Sequence, residues 1–161
     1  MCGGVVYNLE RVPEEDLEKF YSKEQIAYFK KKKMISSFYW DKSPVLPAEI
    51  DGQIRLFDWG NRDKNASFPE TGWAKNETIK EGKWKWLHPK KVKIPVNRGC
   101  EKKVWFDFKN GTNGILVGQD SDKRVYMITE KADKKYLEET NHDRMPMGDK
   151  SNFEKLSKYI D

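Results

Sequence analysis

The sequence is short of the residues that most readily announce a chemistry. It has two cysteines, Cys2 and Cys100, and two histidines, His88 and His142. Neither a C-x-x-C nor an H-x-x-x-H pair occurs, and zinc sets are usually built from such local pairs, so no metal site and no cofactor is expected. No apolar run is long enough to span a bilayer. The stretch "GGVVYN" near the start is too short for a secretory h-region, and the charged "LERVPEEDLEK" follows at once. No internal repeat or low-complexity linker divides the chain. These absences argue against a membrane or secreted protein and for a cytoplasmic one in which both thiols are free.

What is present fits one folded domain, residues 1–161, with a modest core under a charged surface. Aromatic residues make up 13%, more than a disordered polar chain carries, so the apolar mass is concentrated in Trp, Tyr and Phe. Basic residues exceed acidic ones, 31 to 26, for a formal charge of +5 and a pI near 9.0. That balance favours an anionic partner, nucleic acid first, although a lysine-rich surface for solubility accounts for the charge equally well.

Two short helices are expected early, at "PEEDLEKFY" and "SKEQIAYFKKKK", the second opened by a Ser22–Gln25 capping box and closed by lysines that suit the helix dipole. The pattern then becomes short alternating segments. "GGVVYNL", "SSFYW", "QIRLFDW", "KWKWL", "KVKIPV", "KKVWFDF", "GILVGQ" and "RVYMIT" read as strands, with "KNGTNG" as a hairpin connection. Late helices are expected at "EKADKKYLEET" and "KSNFEKLSKYID", the latter capped by Ser151 and Glu154. The fold class is α+β, a mostly antiparallel, barrel-like β core with peripheral helices.

Several constellations could carry chemistry. In "KWKWLHPKKVKIPVNR" a strand would put Lys83 and Lys85 on one face and Trp84 and Trp86 on the other, either a basic groove with stacking platforms or a half-buried strand whose tryptophans are core. His88 precedes a proline and reads as a surface residue. His142, in the polar loop "TNHDRMP", is placed like an acid or base, or belongs to a simple turn. The opening "MCGG" raises a sharper question, since Cys2 becomes the first residue if Met1 is removed.

Taken together, these pieces resemble the SOS-response-associated peptidase family, the SRAP domain. The start "MCGG", the spacing of Ile94, Pro95 and Glu101 in "IPVNRGCE", the segment "VYMITEKA" and the intact "HDRMP" from His142 to Pro146 match family motifs in order along nearly the whole chain. "SPVLP", "DWG" and "AKNET" are weaker echoes. The chain departs from the pattern at Gly4 and Lys75, where arginines are usual, and at Trp73, where an asparagine is usual; Asn76 stands close enough to substitute. The resemblance implies covalent capture of abasic sites in single-stranded DNA by a monomer. Once Met1 is gone, Cys2 carries an α-amine of pKa about 7.7–8.0 beside a thiol of about 8.5, both partly deprotonated near neutrality. The amine can form an imine with the sugar aldehyde and the thiol can close a thiazolidine ring, which no internal cysteine can do. Gly3 and Gly4 add no bulk beside the reacting atoms and tolerate unusual backbone angles. By the same resemblance Glu101 moves protons, His142 acts on the sugar oxygen, and Arg144, Lys75, Lys83 and Lys85 hold phosphates. Trp59 or Trp73 stacks on a base. Without the resemblance, Glu101 is a strand-edge acid paired with Lys102 or Lys103. Two other functions stay open: a thiol peptidase using Cys2 and His142, and a non-catalytic DNA-binding module.

Overall fold

The computed structural model describes residues 2–148 and 153–155. After the start, Gly4–Asn8 forms β1, and two short helices follow, α1 (Glu14–Phe20) and α2 (Lys23–Lys32). The Ser22–Gln25 capping box closes reciprocally, and Lys33 ends α2 in the left-handed conformation at φ 62°. Asp16 in α1 is buried; its carboxylate accepts the Leu56 N–H (2.8 Å) and two bonds from the Arg55 guanidinium (2.9 and 3.0 Å). Leaving that buried N–H without its acceptor costs about 1–3 kcal/mol, so this contact fixes the helix on the strand carrying Arg55.

The strands then run β2 (Met34–Phe38), β3 (Val45–Ile50) and β4 (Gln53–Trp59). An Asp51–Gly52 pair joins the last two, both residues at positive φ (50° and 79°), as a two-residue hairpin turn demands. After β5 (Trp73–Lys75), α3 (Asn76–Lys80) and a 3₁₀ turn at Lys85–Leu87 come β6 (Lys90–Ile94), β7 (Arg98–Glu101), β8 (Val104–Phe108), β9 (Thr112–Gln119) and β10 (Asp122–Lys131). The chain continues through α4 (Lys134–Thr140), β11 (Arg144–Pro146) and β12 (Phe153–Lys155).

Two sheets result, and together they make the α+β domain expected. One has the order β12-β8-β7-β1-β2, antiparallel throughout. In the other, β10-β4-β3-β6-β9 closes because β9 pairs back onto β10, giving a five-stranded barrel with β5 and β11 attached to β10. Pairing is antiparallel except where β10 meets β4 and β5. The main core, from Cys2, Val5 and Tyr7 to Ile94, Phe106, Met127 and Tyr136, lies between β1 and the barrel. A second cluster of Trp84, Leu87, Ile115, Val117, Tyr126 and Ile128 covers another face of β9 and β10. Among the described residues, no helix is long and apolar enough to cross a membrane.

Three local expectations are corrected. "KWKWL" is a turn leading into a 3₁₀ segment, because the buried residues are Trp84 and Leu87, three apart, while Trp86 is exposed. "KNGTNG" is no hairpin: β8 and β9 belong to different sheets, and Gly111 (φ 65°) turns the chain from one to the other. Within "KSNFEKLSKYID", Phe153–Lys155 is a strand paired with β8 rather than helix; the proposed cap at Ser151 and the remainder lie outside the described residues. The strand β3 takes in the last three residues of the "SPVLP" echo. Pro47 is accommodated opposite Leu56 as one of the buried strand residues.

Candidate functional site

The N-terminus is drawn into the protein by backbone pairing. Gly3 donates its N–H to the Cys100 carbonyl and accepts from Tyr39 N–H, both at 2.9 Å, which sets residue 3 between β7 and the end of β2. Cys2 is thereby fully enclosed, at 0% exposure. Its Sγ donates to the Gly4 carbonyl (3.2 Å), and the Trp73 indole N–H donates to the Cys2 carbonyl (3.0 Å). Room for the sulfur comes from Gly99, where a Cβ would lie 2.9 Å from Sγ. Gly3 and Gly4 are used differently from the expectation. Neither adopts positive φ; each allows close approach instead, a Cβ on Gly4 lying 2.5 Å from the Phe38 ring.

Glu101 ends β7 beside this cysteine and is 4% exposed. Its Oε1 accepts the Tyr136 hydroxyl (3.2 Å) and lies 3.8 Å from His142 Nδ1. α4 supplies Tyr136, and the left-handed Asn141 that ends the helix turns the chain so that His142 faces the carboxylate. His142 Nδ1 is held by the Arg144 backbone, 3.1 Å from its N–H and 3.2 Å from its carbonyl oxygen. The structure thus brings Cys2, Glu101 and His142 together across 140 positions of sequence (142 − 2). Lys102 is not held by the carboxylate's edge as a simple strand pair: its ammonium donates to the Asn141 carbonyl (3.0 Å).

Burial pushes the Cys2 thiol up to about 12, with the Glu101 charge adding to the effect. Burial likewise pushes the Tyr136 hydroxyl up, with Cys2 and Glu101 next in weight. The three groups therefore share one low-dielectric space. This corrects the expectation of a partly ionised thiol at neutrality, because Cys2 is held as the neutral S–H. That rise leaves a far smaller thiolate fraction near neutral pH than an ordinary cysteine has. Iodoacetamide is accordingly expected to alkylate Cys2 in the native protein at least about a hundredfold more slowly than in the unfolded chain. A labelling time course read by peptide mapping checks this; rapid native labelling of Cys2 would refute the enclosure.

Arg144 and Lys75 meet at Thr129, with Asn76 next to Lys75 at the start of α3. The β5–β10 register sets Lys75 opposite Thr129, and Arg144 reaches the Thr129 carbonyl (2.9 Å) from β11. The guanidinium also makes two bonds to Glu77, at 2.7 and 3.3 Å, and these hold the Glu77 carboxyl below its ordinary range. A phosphate at Arg144 would therefore replace Glu77, whose side chain is 54% exposed and able to swing away. Lys75 is exposed in the same patch. The Asn76 Oδ1 and Arg144 Nε atoms are buried without a protein partner.

Of the other expected site residues, Trp73 reaches Cys2, and Trp59, Lys83 and Lys85 do not join it. Trp59 is 1% exposed with its N–H bonded to the Gly72 carbonyl (3.0 Å), so it is a core residue and no base can stack on it. Trp73 is half-buried against Tyr39 and Trp59, and it borders the cleft described below. Lys83 and Lys85 are exposed in the loop after α3; Lys83 pairs with Glu81 (3.0 Å), and the two do not share a strand face. His88 is an exposed residue at the end of the 3₁₀ turn.

Sequence reasoning missed Tyr136, Phe38, Trp40 and Trp105. "KKYLEET" carries no sign that its tyrosine reaches a carboxylate 35 positions away, and "SSFYW" gave strand periodicity without saying which aromatic stays in solvent. Trp40, Trp105 and the turn lysines Lys102 and Lys103 border a cleft of about 560 Å³ that reaches Gly3 and Glu101. Comparison with known proteins assigns no family: no family model matches the chain, and no curated protein matches it in sequence.

Proposed function

We propose that this protein captures abasic sites in single-stranded DNA through Cys2, as the resemblance to the SRAP domain implies. The observation that carries the reading is the enclosure of an N-terminal cysteine against Glu101 and His142 at the side of a cationic, aromatic cleft. Hydrolysis of the Met1–Cys2 bond frees the α-amine. The amine adds to the sugar aldehyde and water leaves, giving an imine. Sγ then adds to the imine carbon, its proton passes to the nitrogen, and a thiazolidine closes.

Each group has a task suited to its placement. The thiol, held neutral, does not compete with the amine for first attack and needs a base only for ring closure. Glu101, next to it, is the base that relays that proton. His142 donates a proton to the sugar oxygen as the ring opens. Trp73 holds the Cys2 carbonyl through its N–H, a donor where the family has an asparagine. Lys75 and Arg144, released from Glu77, grip phosphates, with lysine and a pre-occupied arginine making that grip adjustable.

The test uses purified protein and a single-stranded oligonucleotide with one abasic site. Intact mass should show loss of Met1, and a denaturing gel should show a heat-stable shifted band that forms without reductant. Protein lacking Met1 that forms no such band overturns the proposal, as does retained Met1 in the crosslinked species.

A further inference from the structure

We propose that the cleft beside Gly3 is a nucleobase subsite in which Trp40 stacks on the base neighbouring the lesion and Lys103 meets the adjoining phosphate. This rests on single-stranded DNA being the partner, and it names how that partner is held.

Trp40 is 64% exposed, the highest exposure among the large hydrophobic residues described. It is nevertheless a fixed surface. Its ring stacks on Phe38 (centroids 4.8 Å, 28° between planes), and Phe38 in turn meets the edge of Trp105 (6.1 Å, 84°). The backbone below is pinned as well: the Asp41 carboxylate accepts the Phe38 N–H (2.8 Å), and Arg62 donates to the Tyr39 carbonyl (3.0 Å) and to that of Asp41. A rigid aromatic plate loses little freedom on binding a second ring.

The glycines tie the plate to the chemistry. A Cβ on Gly3 would lie 3.0 Å from the Trp40 ring, so the indole lies directly against the residue after Cys2. Any side chain at Gly4 would collide with Phe38. The glycine at position 4 is thus the space in which the support for Trp40 lies. An arginine there and this aromatic stack exclude one another, and stacking takes over the role of a phosphate contact.

On the other rim, Lys102 and Lys103 form the turn between β7 and β8 with both φ values positive, 47° and 69°. That is the geometry of a two-residue hairpin turn, which sets the direction of both lysines. Lys102 is anchored to the Asn141 carbonyl, next to His142, which leaves Lys103 exposed at the mouth. A flat aromatic plate opposite a cation suits a base and its phosphate better than an apolar peptide, whose binding gains nothing from Lys103.

The test uses the wild-type protein and single-stranded DNA with a tetrahydrofuran abasic analogue, which cannot react, and 2-aminopurine placed on its 5′ or its 3′ side. Wild type should quench 2-aminopurine on one of the two sides. Trp40→Ala should lose that quenching and bind roughly five- to a hundredfold more weakly, Trp40→Phe should recover part of both, and Lys103→Glu should weaken binding while lowering its salt dependence. Because Trp40 is exposed, the melting temperature should stay near wild type. Equal affinity and equal quenching in wild type and Trp40→Ala overturn the inference, as does a Trp40→Ala effect confined to self-association in sedimentation. The abasic crosslinking gel keeps the two readings apart. Trp40-dependent quenching without any covalent product fails the capture reaction alone, and crosslinking indifferent to Trp40 fails the subsite alone.

Discussion

Cys2→Ala is expected to abolish the heat-stable abasic-site product, a loss of at least about a hundredfold in crosslinking rate, while leaving affinity for single-stranded DNA nearly unchanged. The substituted protein still has an α-amine once Met1 is gone, so it can form an imine. An imine hydrolyses, and without a thiol no ring traps it. A band that appears only with borohydride is therefore allowed, and intact mass confirms that Met1 has left the variant. Affinity should survive because the Cys2 side chain is fully enclosed and the cations proposed to meet phosphate, Lys75 and Arg144, stand on other elements. Binding by such cations weakens steeply as salt rises, so titrations at two salt concentrations should give the same slope for both proteins. A reductant-free, heat-stable band from Cys2→Ala would sink the aminothiol mechanism.

The second large effect is expected at Glu101. Glu101→Gln should slow crosslinking by about 10²–10⁴ with little change in affinity, the range set by loss of a positioned proton-transfer group. Glutamine is nearly isosteric, and its amide oxygen can still accept the Tyr136 hydroxyl that Glu101 Oε1 accepts now. A purely structural role predicts the opposite pattern, with a lowered melting temperature and little change in rate for the protein that remains folded. Single-turnover gels at saturating DNA separate the two, because saturation removes any contribution from binding. Wild-type crosslinking rates in Glu101→Gln would remove the carboxylate from the mechanism.

Much of the fold was legible along the chain because short-range physics decides it. Burial alternating every second residue marks the first part of β4, where Ile54 and Leu56 are buried, and the Ser22–Gln25 pair closes the capping box its spacing allows. Misreadings occurred where a local pattern has two solutions. Lysine and tryptophan alternate in "KWKWL" as they would in a strand, yet the barrel face needs side chains three apart, so Trp84 and Leu87 go in and Trp86 stays out. "KNGTNG" has hairpin chemistry, but which strand comes next is settled by sheet partners far away in sequence.

For the site, the sequence by itself determined the identity and order of Cys2, Glu101 and His142, the glycines that follow the cysteine, and the excess of positive charge. These are properties of residue type and short spacing. Only the tertiary structure decided what state and surroundings those groups have. Drawing β1 between β2 and β7 removes Cys2 from water, and that desolvation, which no local sequence encodes, turns an ordinary thiol into one pushed up to about 12. The same packing joined Tyr136 to Glu101, tied Arg144 to Glu77, took Trp59 into the core and left Trp40 as the exposed ring. Charge state and exposure depend on neighbours brought in from distant strands, so they appear only when the sheets have closed.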